Sequence, residues 1–194
     1  MEKIFRQAPA KINFGLEVLG KRPDGFHEIN TVFVRTGLYD ELEFALETDA
    51  ITLECIPDLG IRPTENLVYR AASLLKDYAE RLGLFKRSGL KGTKIRVRKH
   101  IPSGAGLGGG STDAATTLLA LKDQWQLPIT HFELHTLAST LGSDVPFFLK
   151  EQAAVGKGRG EVLTYFDFSL PWWLVIVYPN IHVNTGEAYS ALSR

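Results

Sequence analysis

Between Pro102 and Ser111 the chain reads Pro-Ser-Gly-Ala-Gly-Leu-Gly-Gly-Gly-Ser, with glycine at 104, 106, 108, 109 and 110. Glycine loses more backbone entropy on folding than any other residue, so five in so short a run need a reason. The flanks narrow that reason. Thr93 to His100 alternates, with Ile95 and Val97 on one side and Arg96 and Arg98 on the other, which predicts a strand. A helix is predicted from Thr112 to about Gln124. Strand, loop and helix start in that order bring unpaired main-chain amides and the positive end of a helix dipole together, where phosphate is favoured. Ser111 stands where its hydroxyl would cap the helix or reach a metal ion carried on a phosphate. A plain flexible connection is the competing reading.

Three common phosphate loops do not fit. Gly104-x-Gly106-x-x-Gly109 matches a dinucleotide fingerprint, but residues 112 to 141 read as two helical segments without the second strand that fingerprint requires. Gly104 to Ser111 has the spacing of a P-loop, yet position 110 is Gly and the lysine is missing. A protein-kinase loop lies between two strands, and here a helix follows.

The rest of the chain is organised around this segment. The first 55 residues read mainly as strands: Ile12, Phe14, Leu16 and Val18 alternate with smaller or polar residues and predict one buried face. Arg22-Pro23-Asp24-Gly25 is a turn, and 31–35, 42–46 and 51–55 are further strands. A helix opens near Asn66 and ends at Gly83. Thr130 with Glu133 forms a capping box for a helix that runs to Gly142. Short strands follow, among them Trp173 to Val177. The order predicts an α+β fold, a two-layer mixed sheet with helices on one face.

Composition removes several function classes. Twenty-two Lys and Arg balance 22 Asp and Glu, so no basic surplus favours a nucleic acid, and an anion site here is local. One cysteine, Cys55, excludes an internal disulfide framework and cysteine-based zinc clusters; it reads as a small core residue. No run reaches the ~18 apolar residues of a membrane span, and Met1 to Arg6 lack a signal-peptide core, so a cytoplasmic chain is expected. His131 and His135 lack the adjacent Glu of a zinc-protease helix.

Pro102 to Ala115 resembles the second motif of the GHMP kinases. Ala8-Pro9-Ala10-Lys11-Ile12-Asn13, Arg22 to Glu28 and Leu141-Gly-Ser-Asp144-Val-Pro-Phe147 resemble one branch of that family, in order from about residue 5 to 190. Phe26 departs from the branch, which often has Tyr there. The family's third, glycine-rich motif does not occur before Arg194. The resemblance implies that residues 1–194 are the family's N-terminal ATP-binding domain. The last ~15 residues would begin a connection to a C-terminal domain.

It further implies an ATP- and Mg²⁺-dependent kinase whose acceptor is an alcohol of a cytidine diphosphate derivative. Asp144 is then the base; the other reading of that residue is an N-cap in a Gly-Ser-Asp-x-Pro turn. Lys11 would lie beside Asp144 and offset charge on the transferring group. Pro102, Gly104, Gly106, Leu107, Gly108, Gly109, Gly110 and Ser111 would hold the nucleotide's phosphates, with Ser111 also on the metal. Lys99 would add a cation there, and Asn66, otherwise an N-cap, would touch adenine. Asn13, Phe26, His27, Thr185 and Tyr189 would bind the acceptor, Phe26 and Tyr189 stacking on cytosine. No nucleic acid or membrane partner is expected, and the chain would be a monomer or weak homodimer. Another kinase of the family, or a nucleotide-binding fragment without turnover, are the alternatives.

Overall fold

The computed structural model describes residues 3–85, 91–181, 188, 191 and 192. Two long strands, β1 (Lys3–Lys21) and β2 (His27–Glu47), form a hairpin across the turn at Arg22–Phe26. β2 is long enough to take two further antiparallel neighbours. β4 (Gly92–Arg98) pairs with 41–47, and β5 (Ala153–Gly158) pairs with 29–33. β3 (Ile51–Ile56) runs parallel to β4, and β6 (Val162–Phe166) closes the other end beside β5. The result is the expected α+β architecture, among the described residues a six-stranded mixed sheet with three α-helices.

Alternation decides which face the helices cover. On β2 and β4 the side chains of Leu42, Phe44, Ile95 and Val97 are buried, while Glu41, Lys94 and Arg98 face out. The inward set packs with α1 (Leu67–Arg81), α2 (Gly109–Gln124) and α3 (His131–Leu141) through Ala71, Leu75, Leu118, Leu121 and Leu134. α1 starts where Asn66 accepts a hydrogen bond from Val68 N at 2.9 Å and presents Val68, Ala71, Ala72, Leu75 and Ala79 to the core at helical spacing. α3 starts on the complete capping box of Thr130 and Glu133. A 3-10 turn (Val145–Leu149) follows α3 and is wholly buried.

Three expectations are corrected. α2 opens at Gly109, not Thr112, because Gly108 turns into the left-handed region (φ 71°) and the next two glycines already have helical backbone. The apolar set on β1 is not a buried face: Phe14 and Leu16 are each about half exposed. A register shift between Asn13 and Leu16 interrupts the pairing with β2 there, and no helix covers that end of the hairpin among the described residues. Trp173 to Val177 is not a strand, since no described strand offers it a ladder partner, and Trp173 is 98% exposed.

Candidate functional site

The glycine loop leaves β4 and enters α2 over a small apolar base of Ala10, Ile101 and Leu107. Gly104, Gly106 and Gly108 have φ near 70°, while Ala105 and Leu107 between them do not. Such alternation turns successive amides toward one concavity. Gly108 is fixed for a second reason. A Cβ there would lie 3.0 Å from the Phe148 ring and 3.1 Å from Lys11 Cγ, so the loop approaches both side chains as closely as backbone can. No side chain caps the helix that begins next.

Lys11 joins this loop to a distant part of the chain. Its main-chain N–H donates to Leu107 O at 2.9 Å. Its ammonium donates to Asn13 Oδ1 at 2.7 Å and stands 3.4 Å from Asp144 Oδ2. Asn13 in turn donates to Thr31 Oγ1, which donates to Gly15 O. Lys11 is 5% exposed, so its charge is used locally rather than solvated. Asp144 occupies the N-cap position of the 3-10 turn, but its side chain makes no cap hydrogen bond and faces Lys11. The turn itself is anchored from two sides. Arg35 on β2 donates to Phe148 O at 2.7 Å, and Tyr165 on β6 donates to Pro146 O at 2.9 Å. Burial pushes the Tyr165 phenol up to about 12, so it stays a donor.

Under the loop lies a second charged group. Lys99 donates to Asp113 Oδ2 at 2.6 Å and to Asp40 Oδ2. The Oδ1 of Asp40 accepts the main-chain N–H groups of His100 and Ile101, the latter at 2.8 Å. Asp40 is fully buried and Asp113 is 3% exposed. Burial pushes the Asp113 carboxyl up to about 7 against the pull of Lys99, with Asp40 adding to the rise. For Lys99 burial works downward, yet the two carboxylates outweigh it and raise the ammonium. Lys99 is thus held beneath the loop, its charge engaged by Asp40 and Asp113.

The other expected positions divide. Ser111 is the third residue of α2, in its first turn, and does not cap it. Asn66 caps α1, donates to Cys55 Sγ at 3.6 Å, and lines a cleft of about 470 Å³ with Leu53, Cys55, Leu59 and Ile61. The neighbouring Leu67 meets Gly110, so this cleft opens beside the start of α2. Cys55 is half-buried, and burial raises its thiol, as suits a packing residue. Phe26 stands half exposed at the β1–β2 turn with the Arg159 guanidinium 4.6 Å over its ring, and His27 pairs across that turn with Lys21. Thr185 and Tyr189 lie outside the described residues. The sequence reading missed Asp40, Asp113 and Arg159. Only position 113, the one charged residue in the first three turns of α2, carried a signal.

Among the described residues no group of three or more His, Cys, Asp or Glu side chains is gathered to hold a metal ion, and no helix is long and apolar enough to cross a membrane. Residues 66–152 match the model of the GHMP kinases N terminal domain. The chain is 44% identical over 184 residues to a 4-diphosphocytidyl-2-C-methyl-D-erythritol kinase of Pseudomonas syringae, covering 94% of this chain and 62% of that protein. Against the kinase of the same name from Chlorobaculum tepidum it is 42% identical over 196 residues, covering 100% and 65%. A crystal structure of 4-(cytidine 5'-diphospho)-2C-methyl-D-erythritol kinase superposes with a TM-score of 0.76 at 38% identity, over 97% of this chain and 64% of that one. The chain thus spans less than two thirds of the length of these relatives.

Proposed function

The chain belongs to the GHMP kinase family, and on that premise we propose that it carries the phosphate loop and the base of an ATP-dependent kinase. Its acceptor would be the 2-hydroxyl of 4-diphosphocytidyl-2-C-methyl-D-erythritol, a step of non-mevalonate isoprenoid synthesis. One observation carries the reading: Lys11 is hydrogen-bonded through its backbone to Leu107 in the loop while its ammonium stands 3.4 Å from Asp144. Phosphoryl transfer asks a protein chiefly to hold donor and acceptor in line and to balance charge. A single residue that touches both the phosphate cradle and the carboxylate serves that purpose.

In this reading Asp144 accepts the proton of the acceptor hydroxyl as its oxygen bonds to phosphorus. Lys11 offsets negative charge on the transferring group. The uncapped amides of Gly109, Gly110 and Ser111 and the cradle at Gly104 to Gly108 take the phosphates, and the cleft beside Asn66 takes adenine. Magnesium, where bound, neutralises phosphate charge. Ser111 would contribute one hydroxyl to it, with the phosphates supplying other ligands, since no cluster of protein carboxylates is gathered among the described residues. Asn13, Phe26 and His27, with Thr185 and Tyr189, bind the acceptor; Asn13 is already fixed by Lys11 and Thr31. Residues 1–194 are read as the ATP-binding domain, acting on a small molecule without nucleic acid or membrane.

Asp144→Ala tests the assignment in a coupled ADP-release assay. Turnover should fall by about 10²–10⁴, the usual worth of a positioned base, with ATP affinity kept. Turnover at the parental rate would put the base elsewhere. A second reading, nucleotide binding without turnover, rests on the glycine cradle and the uncapped start of α2 alone. ATP binding with no ADP release from the parental chain would select it.

A further inference from the structure

Asp144 is placed by its backbone more than by its side chain. The Lys11 ammonium gives its hydrogen bond to Asn13 and stands from the Asp144 carboxylate at an ion-pair distance, 3.4 Å. That carboxylate is partly exposed and caps nothing. What fixes it is the 3-10 turn that it opens. All five residues of the turn, Val145 to Leu149, are buried, so a shift at one end is passed to the other. The turn also meets the phosphate loop, since the Phe148 ring lies 3.0 Å from where a Cβ on Gly108 would stand.

Arg35 holds the end of this turn remote from Asp144. It is the cross-strand partner of Lys11 in the β1–β2 pairing, so both side chains leave the hairpin on one face. Lys11 reaches Asp144 at the start of the turn; the Arg35 guanidinium donates to Phe148 O at 2.7 Å and to Lys150 O at its end. The last carbonyls of a helical turn have no partner of their own, and a cation is favoured there. The guanidinium also lies 5.9 Å and 5.8 Å from the ring centroids of Phe147 and Phe148. Yet its Nε is buried and has no hydrogen-bond partner among the described residues. A buried donor left unpaired is costly, and an apolar side chain of similar length would pack there without that cost. We propose that Arg35 is a positioning residue for phosphoryl transfer: by holding the end of the turn it sets where Asp144 stands relative to the glycine cradle. This rests on Asp144 being the base and the loop being the phosphate site. Tyr165 on β6, which donates to Pro146 O at 2.9 Å, is the second anchor. Without Arg35 the turn keeps its apolar packing and loses the direction that two hydrogen bonds impose. A misplacement of about 1 Å between reacting groups costs on the order of 10²-fold in rate.

The experiment is steady-state kinetics of the full chain by ADP release, beside Arg35→Met, which keeps length and packing and removes both hydrogen bonds. Its kcat should fall by about 10- to 100-fold with the KM for ATP kept. Arg35→Lys retains the charge without the planar fork and should recover only part of the loss. The Asp144→Ala background separates positioning from packing. There Arg35→Met should cost nothing further, because the group it aims is gone. An equal loss in both backgrounds would mean that Arg35 serves the fold alone, and overturns the proposal. Should Arg35→Met not fold, Tyr165→Phe removes one hydroxyl from the other anchor and carries the same comparison: kcat lowered in the parent, unchanged in Asp144→Ala. Parental kcat in these variants overturns the proposal and leaves the kinase reading standing. A parent that releases no ADP, or Asp144→Ala turning over at the parental rate, overturns that reading and the proposal with it.

Discussion

Two helices of this protein begin in opposite ways. α3 opens on Thr130, whose hydroxyl accepts from Glu133 N at 3.2 Å while Glu133 reaches back to Thr130 N at 2.7 Å. Two main-chain donors at this end are thus answered from within the chain. α2 opens on Gly108, which has no side chain to offer, and Gly109, Gly110 and Ser111 follow. The charge near the two ends differs as well. Glu133 lies at the α3 terminus with its carboxyl held down to about 2, by the Thr130 hydroxyl first and then by Tyr78 and the Thr130 amide. Asp113 lies one turn inside α2 with its carboxyl raised. A helix that serves only packing is closed by its own sequence. One that opens on a cradle of glycines leaves its amides for something from outside.

Gly108→Ala strikes this contrast hardest. Its left-handed backbone and the crowding by Phe148 and Lys11 should together cost about 1–3 kcal/mol of stability and displace the loop. Urea unfolding reads the first effect and ATP titration the second; an alanine tolerated in both would mean the cradle is looser than its geometry implies. Thr130→Ala should cost about 1 kcal/mol near neutral pH and leave ATP affinity alone. The sign of its pH dependence follows from Glu133. A depressed carboxyl stabilises the fold above its ordinary value near 4.5 and loses that contribution as pH falls toward 2. Without the Thr130 hydroxyl the difference between variant and parent should narrow over that window, as acid titrations of the melting temperature would show. Gly110→Ala is the smallest change and has the opposite sign. Its backbone is ordinary and a Cβ would meet only Leu67 at 3.4 Å, so a gain of about 0.4–1 kcal/mol is expected in thermal unfolding.

Local signals were legible in the sequence and remote ones were not. The capping box, the Asn66 cap and the turn at Arg22–Gly25 each depend on residues a few positions apart, and each stands where the pattern put it. The start of α2 slipped because glycine reads as loop whether or not its backbone is helical. Asp40 gave no sign, because an aspartate in a strand resembles its solvated neighbour Glu41 until β4 and the loop close over it. Trp173 to Val177 had the right residues for a strand, but no neighbour that would make one stands beside it among the described residues. The approach of Lys11 to Asp144 spans most of the chain, and no periodicity encodes it. The family resemblance suggested it, and the fold supplies the distance.

Lys11 holds Leu107 through an amide that every residue except proline possesses. Its grip on the cradle is therefore indifferent to the side chain, whereas its approach to Asp144 is not. On the proposed function, drift at this one codon would extinguish phosphoryl transfer and spare nucleotide capture, so a silent descendant of such a kinase would survive as a binding protein without first having to come apart.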